Sequence, residues 1–296
     1  MTRIALAQRL KQGPFFIDGA MGTQLIEAGA PAGCCNDYLS IESPDIVRAV
    51  HQKYLDAGVD AVITNTFGGN EFVLKRHGYG ERAREINLAA AKLAREVAGD
   101  DKYVLGDIGP CGDFLQPLGM IKPDELRTAL ADQAKGLLAG GVDGFIIETM
   151  TALDEIEVAI EAIKNVSDLS ILVSLAYDPA GDAFRTMMGV SPTQAAEQLA
   201  DMSITALGFN CGTLDMPGYV ALAKEYAQAL KGTGVLLLAE PNAGRPELEG
   251  DKAMYKLSPD AYAEALEQIK DAGAAVLGGC CGTSPAHLEA AVKRIR

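Results

Sequence analysis

The chain of 296 residues contains no tryptophan and only three histidines, His51, His77 and His287. The missing indole removes the best face for a quaternary ammonium group. The histidines fall in predicted helices or at helix ends and read as surface or internally satisfied residues, so none is a convincing metal ligand. The histidine and glutamate pattern of the zinc deaminases is absent. No apolar run approaches the roughly 20 residues that cross a bilayer. The N-terminus, Met1 to Leu10, is too charged for a secretory signal and reads as a short helix before the first strand. No basic tract offsets a net charge of −14, which argues against nucleic acid and anionic membrane as partners. The expected compartment is the cytoplasm, where cysteines stay reduced and are more often ligands than disulfides.

Hydrophobic residues make up 48 % of the chain, ample for one large core. Short apolar runs alternate with amphipathic stretches. Candidate strands are Phe15–Asp18, Ala61–Thr64, Tyr103–Asp107, Gly144–Glu148, Ile171–Ala176, Ala206–Asn210, Val235–Glu240 and Ala274–Gly278. Several are continuously apolar, as strands covered on both faces should be. Helix starts are marked by Ser43-Pro44, Lys122-Pro123, Ser191-Pro192, Ser258-Pro259 and Ser284-Pro285, with proline in the first turn. Gly58, Gly99, Gly140 and Gly273 are the expected helix ends. Asp18-Gly19-Ala20-Met21-Gly22 lacks the glycine spacing of a dinucleotide-binding turn. Eight strands alternating with helices predict an α/β fold, a (β/α)8 TIM barrel forming a single domain over residues 1–296. Polar residues then gather at the C-terminal strand ends, where such barrels do their chemistry.

The strongest signal is Gly278-Gly279-Cys280-Cys281-Gly282-Thr283, which closes an apolar run. Adjacent strand residues point to opposite faces, so two vicinal thiols reach one metal only after the strand breaks, and the glycines supply that break. Cys211, in Gly208-Phe209-Asn210-Cys211-Gly212, closes another apolar run. Three thiolates at strand ends predict an open zinc site. Three thiolates over-neutralise the ion and make it a poor activator of water, yet a substrate thiol bound there is deprotonated and stays nucleophilic. Such a site suits thiol alkylation. Cys34-Cys35 is also vicinal but lies in a loop after Gly29-Ala30-Pro31-Ala32-Gly33 and is expected to be a packed or partly exposed pair. Cys111 follows the third strand and is placed at the cavity wall, without a ligand role.

These motifs, together with Asp18-Gly19-Ala20-Met21-Gly22-Thr23, Thr64-Asn65-Thr66-Phe67 and Gly106-Asp107-Ile108-Gly109-Pro110, resemble the homocysteine S-methyltransferase family over nearly the whole chain. The family includes the homocysteine-binding domain of cobalamin-dependent methionine synthase and betaine–homocysteine methyltransferase. The resemblance implies zinc on Cys211, Cys280 and Cys281. It also implies homocysteine held by the backbone of Gly19 and Ala20 beside Asp18, with Glu148 on the substrate ammonium. Asn65 and Thr66 are expected to shape the cavity mouth. Pro241-Asn242-Ala243-Gly244 resembles the cobalamin-linked branch, in which the asparagine oxygen fills the fourth metal position when substrate is absent. Thr149 stands where the betaine branch has tyrosine. Both features favour methylcobalamin as donor. The chain leaves no room for cobalamin or folate modules, so the expected partner is a separate corrinoid protein. The alternatives are a small-molecule donor (S-methylmethionine, S-adenosylmethionine or betaine) and a non-catalytic homocysteine- or zinc-binding subunit.

Overall fold

The structure is a computed structural model that describes residues 3–31, 33–249 and 252–296. Met1 and Thr2 of the expected leading helix, and Ala32, lie outside the described residues. Eight parallel strands run in chain order around a barrel: β1 (Phe15–Phe16), β2 (Ala61–Ile63), β3 (Tyr103–Ile108), β4 (Gly144–Met150), β5 (Ser170–Leu175), β6 (Ala206–Asn210), β7 (Leu236–Glu240) and β8 (Ala274–Leu277). Eight helices cover them: α1 (Pro44–Asp56), α2 (Ala83–Ala98), α3 (Pro123–Gly140), α4 (Leu153–Lys164), α5 (Pro192–Leu199), α6 (Met216–Ala229), α7 (Pro259–Asp271) and α8 (Pro285–Ile295). Among the described residues, no helix is long and apolar enough to cross a membrane.

Parallel strands pair continuously from β2 through β3, β4, β5, β6, β7 and β8 to β1. The β1–β2 seam is bridged differently. Asp60 N–H donates to the Phe16 carbonyl at 2.7 Å, Phe16 N–H donates to Asp60 Oδ2 at 2.8 Å and Ile63 N–H donates to Asp18 Oδ2 at 3.0 Å. The Asp18 side chain substitutes for a ladder bond there, and β1 stops at Phe16 rather than at Asp18.

Inward positions alternate along each strand. Leu105, Ile146, Leu172 and Leu238 join Leu6, Leu10, Phe15 and Val276 in an apolar plug inside the barrel. Two residues further along the same strands stand Asp107, Glu148, Ser174 and Glu240. The period of two that fills the barrel with leucine and isoleucine therefore also sets a polar layer above it, on the floor of the mouth.

All five expected prolines occupy the first turn of their helices. Ser191 and Ser258 accept from Gln194 N–H and Ala261 N–H at 3.1 and 3.3 Å, caps of a kind worth about 1 kcal/mol each. One helix end differs from expectation. Gly141 (φ 94°) takes the left-handed position after α3, while Gly140 is the last helical residue, at a close approach to Ala91 of α2 that leaves no room for a Cβ.

Candidate active site

The site forms where β6, β7 and β8 end. β8 stops at Leu277, and Gly279 N–H donates to the Asp18 carbonyl at 3.0 Å. Cys280 N–H donates to the Pro241 carbonyl and Ala243 N–H to the Cys281 carbonyl, each at 3.0 Å. The segment after β7 is thus laced to both cysteines. Cys211 follows β6 with φ 52°, a strained value for a side-chain-bearing residue. Its carbonyl is fixed by the Tyr219 hydroxyl at 2.7 Å. Gly212 (φ 81°) comes next, and a Cβ there would overlap the Tyr177 carbonyl.

These turns bring the sulfurs of Cys211, Cys280 and Cys281 within 4.8 Å of one another. Cys211 and Cys281 are 3.8 Å apart. A tetrahedral ion bonded to sulfur at roughly 2.3 Å needs sulfurs roughly 3.8 Å apart, so this donor set fits zinc. Asn242 is fully buried, and its Nδ2 donates to the Gly212 carbonyl at 2.8 Å while Oδ1 has no partner. That amide oxygen, carried on the segment tied to both cysteines, is the kind of atom a fourth metal position would use. Hydrogen bonds from Cys211, Cys280 and Tyr255 take the Cys281 thiol well below its ordinary range. The Tyr255 ring lies on Gly282.

A cavity of about 420 Å³ opens beside the sulfurs. Asp18, Gly19, Ala20, Asn65, Thr66, Glu148, Cys211, Cys280 and Cys281 line it, so the structure brings those sequence-predicted residues together. Burial, then the charge of Cys281, pushes the Glu148 carboxyl up to about 7. Burial raises Asp18, Asp107 and Glu240 well above the carboxylate range, and each keeps one unpartnered oxygen. Gly19 has no room for a side chain, since a Cβ would stand 2.5 Å from Thr283 Oγ1. The Ala20 N–H, expected to face a substrate carboxylate, donates to that same hydroxyl at 3.0 Å. Asn65 Nδ2 donates to the Asn36 carbonyl at 2.6 Å, and Thr66 Oγ1 to the Asp107 carbonyl at 2.9 Å. Both residues hold neighbouring loops in place.

Other residues take positions that the sequence did not reveal. Cys34, Asp37 and His77 line the cavity. Burial pushes Asp37 up to about 6, and its Oδ1 accepts the Gly68 N–H at 2.8 Å. Cys35 packs against Leu74 and Ile86. Cys111 does not line the cavity; it is buried, and burial pushes its thiol up to about 12. His51 is a correction. Expected at the surface or satisfied, it is fully buried with no partner on either ring nitrogen, because α1 turns that face into the core. His287 is satisfied as expected, with Nδ1 accepting the Ser284 N–H at 3.2 Å and Nε2 donating to the Leu257 carbonyl at 2.9 Å.

An eight-stranded barrel with three thiols converging at its mouth belongs to the class of sites suited to methylating sulfur, and comparison with known proteins agrees. The homocysteine S-methyltransferase profile matches residues 15–295, and the chain belongs to that family. Methionine synthase from Mycobacterium tuberculosis is 31 % identical over 312 residues, covering 98 % of this chain and 25 % of the relative. The Mycobacterium leprae methionine synthase is 32 % identical over 301 residues, with 96 % and 24 % covered. This chain therefore spans about a quarter of the length of those relatives. The metallated form of the homocysteine methyltransferase MmuM from Escherichia coli superposes with a TM-score of 0.79 at 23 % identity, covering 98 % of this chain and 99 % of that one. A methyltransferase from Methanosarcina mazei gives a TM-score of 0.59 at 13 % identity, with 95 % and 93 % covered. These two likenesses are of fold.

Proposed function

We propose that this chain methylates homocysteine on sulfur to give methionine, with the methyl group supplied by methylcobalamin on a corrinoid protein. The observation that carries this reading is the convergence of Cys211, Cys280 and Cys281 within 4.8 Å at the barrel mouth, beside the unpartnered Asn242 Oδ1. The three cysteines would hold zinc, with Asn242 in the fourth position only while substrate is absent; the ion would keep a substrate thiol in its nucleophilic thiolate form at neutral pH.

The chain's own groups orient the amino acid. Glu148, poised near neutrality by its burial, becomes a full carboxylate when it meets an ammonium group. Asp18, on the same cavity lining, adds a second carboxyl with one unpartnered oxygen. Gly19 and Ala20 present their backbone to the substrate carboxylate, on a turn that Thr283 holds in place.

A protein-borne donor is supported by the rim. Among the described residues there are nine exposed large hydrophobics; Ile4 and Leu169 precede strands, while Ile26, Phe67, Phe114, Leu118, Met120, Met187 and Met254 lie on segments that follow the C-terminal strand ends. Leu118 and Met120 are 71 % and 79 % exposed. A surface of this kind favours a macromolecular contact over a small solute. One observation favours a small cationic donor instead: Asp18, Asp37, Asp107, Glu148 and Glu240 line the cavity, and no lysine or arginine does among the described residues. The deciding experiment gives the purified chain homocysteine with methylcobalamin, S-methylmethionine, S-adenosylmethionine or betaine in turn. Methionine is expected with the methylated corrinoid alone, and turnover with a small donor overturns the corrinoid assignment.

A further inference from the structure

Asn210 ends β6, immediately before Cys211, and is fully buried. Its carboxamide uses all four of its hydrogen-bonding positions. Oδ1 accepts the Thr149 backbone N–H and the Ser174 hydroxyl, each at 2.8 Å. Nδ2 donates to Thr149 Oγ1 at 2.6 Å and toward Cys280 Sγ at 3.6 Å. The amide orientation follows from chemistry. A backbone N–H can only donate, so the oxygen must face Thr149 and the NH2 must face the sulfur. Thr149 has φ 60°, a left-handed conformation that a β-branched residue holds only under constraint. Two bonds from one amide supply that constraint, on the residue next to Glu148.

We infer that Asn210 is a positioning residue of the metal centre, donating a hydrogen bond to the Cys280 thiolate while its oxygen fixes the Thr149 turn that carries Glu148. An N–H bonded to an anionic sulfur stabilises the thiolate against protonation and withdraws charge from it. Groups placed around the direct ligands commonly change metal affinity 10–100-fold. Nothing in the residue's name discloses this task, and the amide touches neither the cavity nor the expected substrate.

The inference rests on the zinc reading, so the test separates the two. Zinc affinity is measured by chelator competition for wild type, Asn210→Asp and Ser174→Ala, and each protein is loaded with cobalt(II) to record the sulfur-to-metal charge-transfer band. Wild type that binds no zinc refutes the zinc reading itself. Given a zinc-binding wild type, Asn210→Asp keeps both acceptor bonds, can accept from the Thr149 hydroxyl where the amide donated to it, and loses the donor to sulfur. It should bind zinc about 10–100-fold more weakly, with its cobalt band at lower energy. Ser174→Ala removes a bond to the same amide without touching sulfur and should match wild type in both respects. Any other pattern overturns the inference, equal losses in the two variants included. Should Asn210→Asp fail to fold, wild type with labelled asparagine side chains is loaded with cadmium. A shift of the Asn210 NH2 resonances supports the bond, and unmoved resonances overturn it.

Discussion

Thr283 Oγ1 accepts the Ala20 N–H at 3.0 Å while donating to the Cys280 carbonyl at 2.7 Å. One hydroxyl thus pins the turn after β1 to the turn after β8, and the two groups of residues assigned to substrate and metal share a fastener. Thr283→Val keeps the shape and removes both bonds. A buried bond lost on each side should cost about 2 kcal/mol of stability. Denaturant unfolding reads that loss, and homocysteine affinity should fall with it while zinc content stays near wild type. An affinity unchanged from wild type would mean the two turns hold their places independently.

Cys211→Ala removes one of three convergent sulfurs. Metal analysis should find the variant nearly devoid of zinc. A metal that binds the folded state alone raises thermal stability, so a strong chelator should lower the melting temperature of wild type and leave that of the variant unmoved. Equal zinc in both proteins contradicts the three-sulfur assignment.

Glu148→Gln is nearly isosteric and abolishes the negative charge. A charged hydrogen bond is worth about 1.5–3 kcal/mol, so KM for homocysteine should rise by about tenfold to a hundredfold while kcat changes far less. Steady-state kinetics at saturating donor make the comparison. A fall in kcat at constant KM would move Glu148 from substrate recognition to the chemical step.

His51 gives a pH prediction. Burial lowers its ring from 6.5 to about 4, so the folded state resists protonation that the unfolded chain accepts. A depressed folded pKa contributes stability above pH 6.5, and that stability is lost as pH falls toward 4. The loss should total about 3 kcal/mol. Urea unfolding of wild type and His51→Leu between pH 7 and 4 isolates it, because other titrating groups contribute to both curves. Parallel curves would show that the ring titrates normally.

The barrel and the three sulfurs were legible because each leaves a local mark. Ser-Pro pairs start helices, apolar runs make strands, and glycine flanks Cys211 and the Cys280-Cys281 pair. Asn210 left no such mark. It is a polar residue before a cysteine, and its partners Thr149, Ser174 and Cys280 lie on three other segments of the chain. Tyr255 was equally hidden, since it reaches Cys281 from an excursion after β7 whose strands, Glu247–Glu249 and Lys252–Met254, pair outside the barrel. The buried His51 shows the complementary failure. Helical periodicity places a residue on a face, and only packing tells whether that face has any polar partner to offer.

Asp18 closes the β1–β2 seam with one carboxyl oxygen and turns the other toward the cavity. Neither oxygen can move without disturbing the other, so a ligand that pulls on the inner one tugs the clasp of the barrel wall. Occupancy of the cavity should therefore be felt as slower amide exchange at Ile63, whose backbone N–H is the group that clasp holds.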